Sequence, residues 1–79
     1  MGKPDMIPPY SITLTASELH IDGHRGVEEY SPETISVRTK TKLITVCGRR
    51  LTLGAMTKHE MVITGVVQEV RVEDRGRHR

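Results

Sequence analysis

The stretch that decides the fold is EYSPETISVRTKTKLITVCGRRLTL, residues 29–53, in which apolar and polar side chains alternate. A two-residue turn at Lys40–Thr41 brings the two alternating runs together as an antiparallel pair. Residues that face each other across such a pair lie on the same side of the sheet. The facing pairs are then Val37 with Ile44 and Ile35 with Val46. The alternation therefore predicts a hairpin with one apolar face.

A second reversal is predicted at Gly48–Arg49, because Gly at the first central position suits a type II′ turn. It would set Val46 against Leu51 and Ile44 against Leu53. The whole segment then becomes a three-stranded meander with an apolar face. The opposite face of this meander would carry Ser36, Arg38, Leu43, Thr45, Arg50 and Thr52.

The flanking segments repeat the alternation on both sides of this stretch. Upstream, a turn at Ala16–Ser17 would pair Leu14 with Leu19 and Ile12 with Ile21. After a DGHRG loop, the strand VEEY is followed by SPET, whose Pro suits the second position of a type I turn and brings Tyr30 opposite Ile35. Downstream, Thr57 and Glu60 have the spacing that caps a helical turn, and MVITGVVQEVRV is one strand kinked at Gly65 or two short strands.

Strand-like runs recur about every eight to ten residues, which is typical of a β-sandwich or barrel. We predict an all-β domain, an antiparallel β-sandwich of about seven to eight short strands, with a β-roll or small barrel as the alternative. Residues 11–73 would form this domain, after an N-terminal arm of residues 1–10 and before a basic polar tail of residues 74–79. The predicted core is Ile12, Leu14, Leu19, Ile21, Ile35, Val37, Ile44, Val46, Leu51 and Leu53.

Charge is divided unevenly along the chain, although the net charge is only +2. Residues 1–33 contain six acidic and two basic side chains, whereas residues 34–59 contain six basic and no acidic ones. This basic middle predicts a surface for an acidic partner or for anionic lipid, the alternative being an ordinary solvated hairpin. The cations of this predicted interaction surface are Arg38, Lys40, Lys42, Arg49 and Arg50.

Nothing in the sequence assembles a reactive site, so we predict no catalytic, cofactor-binding or metal-binding residue and no enzyme. The four His residues are scattered, and the adjacent Glu28 and Glu29 point to opposite faces of a strand. Cys47 fits a small, half-buried apolar residue, with a reactive thiol as the alternative. No stretch approaches the length of about 20 apolar residues that a transmembrane helix needs.

Nucleic-acid binding by a small β-barrel is the alternative function that the basic middle suggests. Proteins that bind single strands combine such cations with aromatic side chains on which the bases stack. This chain contains two Tyr and neither Phe nor Trp. Composition therefore argues against this alternative without removing it.

Three segments carry a resemblance to a known family: HRGVEEY (24–30), VCGRRLTL (46–53) and EMVITG (60–65). In order and spacing they resemble the YabP/YqfC family of small bacterial sporulation proteins, closer to the YqfC branch. The resemblance covers residues 11–72, nearly the whole predicted domain.

This resemblance implies a role in endospore formation in the mother cell, with no known enzymatic activity. Because relatives are encoded with membrane proteins, it implies an accessory or assembly protein at the forespore membrane. The expected partner is a membrane protein of the sporulation machinery, and the protein itself would have no membrane span. The charge division adds the expectation of a homo-oligomer, in which the acidic part of one copy meets the basic part of the next.

Overall fold

The computed structural model describes residues 10–74, which form six strands in a single antiparallel sheet. The strands follow the order β1-β2-β6-β5-β4-β3 across the sheet. No helix occurs within residues 10–74, and the prediction of an all-β fold is confirmed. Most of the predicted arm and tail, residues 1–9 and 75–79, lies outside the described residues. The strands are β1 (Ser11–Leu14), β2 (Glu18–Asp22), β3 (Gly26–Tyr30), β4 (Thr34–Arg38), β5 (Lys42–Met56) and β6 (Glu60–Asp74).

The three predicted turns before Cys47 are confirmed by the strand registers. Leu14 lies opposite Leu19, Tyr30 lies opposite Ile35, and Val37 lies opposite Ile44. The segment MVITGVVQEVRV forms one strand, β6, which is the first of the two predicted alternatives.

Four turns share one hydrogen-bond pattern, which begins at Thr15, Ser31, Thr39 or Thr57. In each turn the backbone N–H of this first residue donates to the carbonyl three residues later, over 2.7 to 2.8 Å. Its side-chain hydroxyl accepts from the backbone N–H of the same later residue, over 2.9 to 3.1 Å. Ser and Thr hydroxyls commonly close turns in this way. The segment 57–60, predicted to cap a helical turn, is therefore a fourth hairpin turn.

The predicted reversal at Gly48–Arg49 is wrong, because β5 continues without a turn from Lys42 to Met56. Gly48 instead lies opposite Val67 of β6, in a region where the register shifts. A Cβ atom at Gly48 would lie 1.9 Å from the carbonyl oxygen of Val66. Glycine is needed here for the close approach of two strands and not for a turn. The loss of this turn leaves six strands instead of seven to eight.

The irregular segment Gly48–Leu51 of β5 and Gly65 of β6 divides the sheet into two halves. The β2 half contains β1, β2, residues 60–64 of β6 and residues 52–56 of β5. The β4 half contains β3, β4, residues 42–49 of β5 and residues 66–74 of β6. The backbone N–H groups of Gly48 and Leu51 donate to the carbonyls of Glu33 and Pro32, so the β3–β4 turn supports the irregular segment.

The core is one cluster of apolar side chains that come from both halves of the sheet. These side chains are at most 3% exposed, which a flat sheet without a covering layer does not achieve. The two halves of the single sheet therefore cover one core together, and the predicted β-sandwich stays a prediction. The cluster consists of Leu19, Ile21, Ile35, Val37, Ile44, Val46, Leu51, Met61 and Ile63.

Seven of the ten predicted core residues are buried, and Ile12 and Leu53 pack against the cluster while partly exposed. Leu14 is the error, because it ends the edge strand β1 and is 61% exposed. Met61 and Ile63 were missed, although they alternate with polar positions in the segment EMVITG. They face Ile21 and Leu19 across the β2–β6 pairing, which joins strands distant in sequence.

The substitution Val46→Asp should unfold the domain, because it places an unpaired charge in the core. The expected cost is at least about 4 kcal/mol, which approaches the stability of a small domain. Circular dichroism and thermal melting provide the measurement. Leu14→Asp introduces the same charge at an exposed position and should melt like the parent. Similar melting of both variants would contradict the core assignment.

The substitution Gly48→Ala should destabilise the domain by more than about 2 kcal/mol, because the new methyl group meets backbone that cannot move aside easily. Gly54→Ala is the matched control in the same strand, since its Cβ would find its nearest neighbour at an ordinary 3.6 Å. Urea denaturation of both variants measures the difference. Equal stability of the two variants would show that β5 and β6 do not approach closely at Gly48.

Candidate interaction surface

The five predicted surface cations fall into two groups along β5 and the β4–β5 turn. Arg38, Lys40 and Lys42 surround the β4–β5 turn, whereas Arg49 and Arg50 lie in the irregular segment of β5. Arg49 follows Lys42 by seven positions along the strand, which corresponds to about 23 Å. The structure thus forms two basic groups, which we call the turn group and the bulge group.

The turn group is partly neutralised by acidic neighbours. Arg38 Nη1 donates to Glu28 Oε2 over 2.7 Å, across the β3–β4 pairing. Lys42 forms an ion pair with Asp74 at the end of β6, and the hydrogen bond to Asp74 raises the pKa of Lys42. Lys40 is exposed at the tip of the turn and has no ion pair with any residue between 10 and 74. It is therefore the cation of this group most available to a partner.

The bulge group presents two adjacent exposed arginines. Successive side chains of a regular strand point to opposite faces, but a bulge breaks this alternation. Arg50 has a φ angle of 55°, and the register with β6 shifts between Arg49 and Thr52. Neither arginine has an ion-pair partner within the described part of the chain. The bulge thus concentrates two unneutralised cations at one point of the sheet.

Acidic side chains gather on the β2 half of the sheet. In β2 the buried Leu19 and Ile21 alternate with Glu18, His20 and Asp22. Asp22 lies opposite Glu60 of β6, and His20 Nε2 lies 2.8 Å from Glu18 Oε1. The exposed face of the β2 half is therefore acidic, although the exposed Lys58 lies in its β5–β6 turn. Glu28, Glu29, Glu69 and Glu73 lie on the β4 half together with the turn group, so the division of charge along the sequence is not repeated as a division between the two halves.

The corner HRGVEEY connects the two halves through buried polar contacts. His24 is buried and its Nε2 lies 3.1 Å from the carbonyl oxygen of Thr57. The backbone N–H groups of Gly23 and His24 donate to the carbonyl of His59, and that of Arg25 donates to the carbonyl of Arg38. His24 thus links the β2–β3 loop to the β5–β6 turn.

Residues 10–74 bring together no group of three His, Cys, Asp or Glu side chains that would hold a metal ion. Cys47 is a free, half-buried cysteine that faces Thr34 and Glu69 across its neighbouring strands. The alternative of a reactive thiol stays a prediction. No helix in the described range is long and apolar enough to cross a membrane.

These features define a small all-β domain with two basic groups, one around the β4–β5 turn and one in the irregular segment of β5. A family model described as the YabP family matches residues 8–79. The chain therefore belongs to the YabP family, which indicates a sporulation-related protein. The predicted family is confirmed, while the closer kinship to the YqfC branch stays a prediction. No curated protein and no solved structure shows a significant match.

The substitution Gly26→Val should destabilise the domain by more than about 1 kcal/mol. Gly26 has a φ angle of 152°, and a Cβ atom there would lie 2.8 Å from Arg38 Nη2. The valine would strain the backbone and push Arg38 away from Glu28. Chemical denaturation measures the loss, and Arg38→Gln separates the contribution of the ion pair. Unchanged stability of Gly26→Val would mean that the corner tolerates any residue.

Proposed function

We propose that this protein is a non-catalytic accessory or assembly protein of endospore formation. It acts through protein–protein contacts at the membrane around the developing spore. The observation that carries this proposal is the family match over residues 8–79, which includes every described strand. The role in sporulation follows from the family, and the mode of action is our inference from the surface of the domain.

The exposed cations support binding to an acidic partner. A single surface ion pair contributes only about 0 to 1 kcal/mol, so stable attachment needs several cations at once. Arg38 and Lys42 already have acidic partners within the domain. The binding surface is therefore centred on Lys40, Arg49 and Arg50, a narrower set than the sequence predicted.

The proposed partner is a membrane protein of the sporulation machinery, with an acidic segment on the mother-cell side. Such a partner would hold the domain at the forespore membrane. Anionic headgroups offer the same negative charge, and they would add to the attraction when the partner brings the domain close to the surface.

Binding to a single-stranded nucleic acid is the second candidate, and the exposed aromatic Tyr30 favours it. Tyr30 is 54% exposed, whereas Tyr10 packs partly against the core. A stacking surface usually offers several aromatic side chains along a basic groove. One exposed tyrosine and two separated basic groups supply less than this arrangement requires, which is why we place this function second.

The double variant Lys40→Glu/Arg49→Glu should lose attachment to the forespore membrane. It reverses one unneutralised cation in each basic group and spares Arg50, whose backbone has an unusual conformation. Arg25→Glu/Lys58→Glu is the matched control, because it reverses two exposed cations outside both groups. Tagged versions are compared in sporulating cells by fluorescence localisation and by co-purification, after circular dichroism has shown a normal fold.

We expect the parent and the control to co-purify with a membrane protein of sporulating cells and the double variant to lose most of it. Equal recovery with all three proteins would show that the basic groups are only a solvated surface. Binding of the parent to mixed oligonucleotides, with an affinity that falls steeply as salt increases, would favour the nucleic-acid alternative.

A further inference from the structure

The two halves of the sheet leave four strand edges without a partner among the described strands. β1 offers one edge of four residues, and β3 offers an edge interrupted by a register shift between Val27 and Glu29. Residues 52–56 of β5 form the third edge, with a shift between Leu53 and Ala55. Short strands and bulges are the features by which proteins protect exposed edges from pairing.

The fourth edge, on the second half of β6, is neither short nor bulged from Glu69 to Asp74, and its protection consists of charged side chains. β2 pairs with β6 only between Glu60 and Thr64, so among the described strands residues 66–73 of β6 have a partner on one side only. Between Glu69 and Asp74 the register with β5 is unbroken, and this segment contains neither Gly nor Pro. It is the longest regular edge in the part of the chain that the structure describes. We call residues 69–73 the β6 edge.

We propose that the β6 edge pairs antiparallel with the same edge of a second copy of this protein. A two-fold axis at Val72 places the two valines opposite each other. The pairing would join the four strands of each β4 half into one continuous sheet of eight strands. This interface is formed by β6, whereas the basic groups belong to β5 and the β4–β5 turn, and the proposal goes beyond the function proposed above.

The charges on the β6 edge favour a second copy as the occupant. Glu69, Arg71 and Glu73 alternate in sign on the face opposite Val70 and Val72. With the axis at Val72, Arg71 of each copy faces Glu73 of the other, and both cross-strand pairs are attractive. An axis at Arg71 would instead place Arg71 opposite itself and Glu69 opposite Glu73. An axis at Val70 would also be attractive, with Arg71 facing Glu69, so the charges favour a valine on the axis and the exposure of Val72 selects between the two valines.

Apolar exposure points to the same edge. Val72 is 41% exposed although it lies on the core face, opposite the fully buried Ile44. A strand paired to the β6 edge would cover this valine with its counterpart from the second copy. In the single chain Arg71 Nη2 donates to Glu69 Oε2 over 2.9 Å, and this hydrogen bond raises the pKa of Arg71. The arginine can contact both Glu69 of its own strand and Glu73 of the second copy.

The test is a charge exchange across the proposed axis, carried out on the full chain. Arg71→Glu and Glu73→Arg each create two repulsive cross-strand pairs, whereas the double variant restores two attractive ones. Glu29→Arg is the matched control, because it makes the same change as Glu73→Arg on the exposed β3 edge. Sedimentation velocity over a range of micromolar concentrations gives the dimer dissociation constant, and thermal melting confirms that each variant is folded.

We expect the parent to be dimeric and each single variant to weaken the dimer about tenfold. The double variant should return to within about threefold of the parent, and Glu29→Arg should not differ from it. In a Cys47→Ser background, Val72→Cys should form an intermolecular disulfide under mild oxidation, as its place on the axis requires.

A parent that stays monomeric overturns the proposal, as it would if residues 1–9 or 75–79 of the same chain cover the edge. A dimer that neither single variant weakens also overturns it, because the interface would then lie elsewhere. Weakening by both single variants without recovery in the double variant contradicts the axis at Val72. If the Lys40→Glu/Arg49→Glu variant loses membrane attachment while its dimer stays intact, the basic surface and the dimer interface act independently.

Discussion

The fold depends on the close approach of the β5 and β6 backbones at the point where both strands change from one half of the sheet to the other. Gly48 makes this approach possible, because any side chain there would overlap the carbonyl of Val66. The part of β5 before Gly48 pairs with β4, and the part of β6 before Gly65 pairs with β2. The close approach at Gly48 therefore lets six strands in one sheet enclose a core from two sides. A small chain gains the burial of a two-layer fold without a break in its central strands.

The same region of β5 also determines where charged side chains lie on the surface. Acidic residues of β2 and the start of β6 lie on one half, while both basic groups lie along β5 and the β4–β5 turn. The bulge that provides the close approach also exposes Arg49 and Arg50 side by side. A substitution at the bulge can therefore change the stability of the fold and the basic surface together. Arg50 combines both roles, because its φ angle of 55° belongs to the bulge and its side chain belongs to the basic surface.

Local patterns in the sequence were enough to predict the hairpins around Lys40–Thr41 and Ala16–Ser17, because alternation and turn length determine the register. Gly48 was misinterpreted because glycine marks both tight turns and close approaches of strands, and the two uses differ only in the tertiary structure. Met61 and Ile63 depend on the pairing of β2 with β6, which no local pattern reveals. The five cations were found from charge counts alone. Their separation into two groups could not be predicted, since it follows from β5 continuing as one strand where a turn was predicted.

The four turns that begin with Ser or Thr have a consequence for how the chain reaches its native state. Four of the five strand pairings join neighbours in sequence, and each of those pairs is connected by one of these hydroxyl-closed turns. Local contacts of this kind form early and rapidly, since little loop entropy is lost. The remaining pairing, β2 with β6, closes a loop of nearly 40 residues. Folding speed should therefore be limited by this one closure, with hairpins already present on both sides of it.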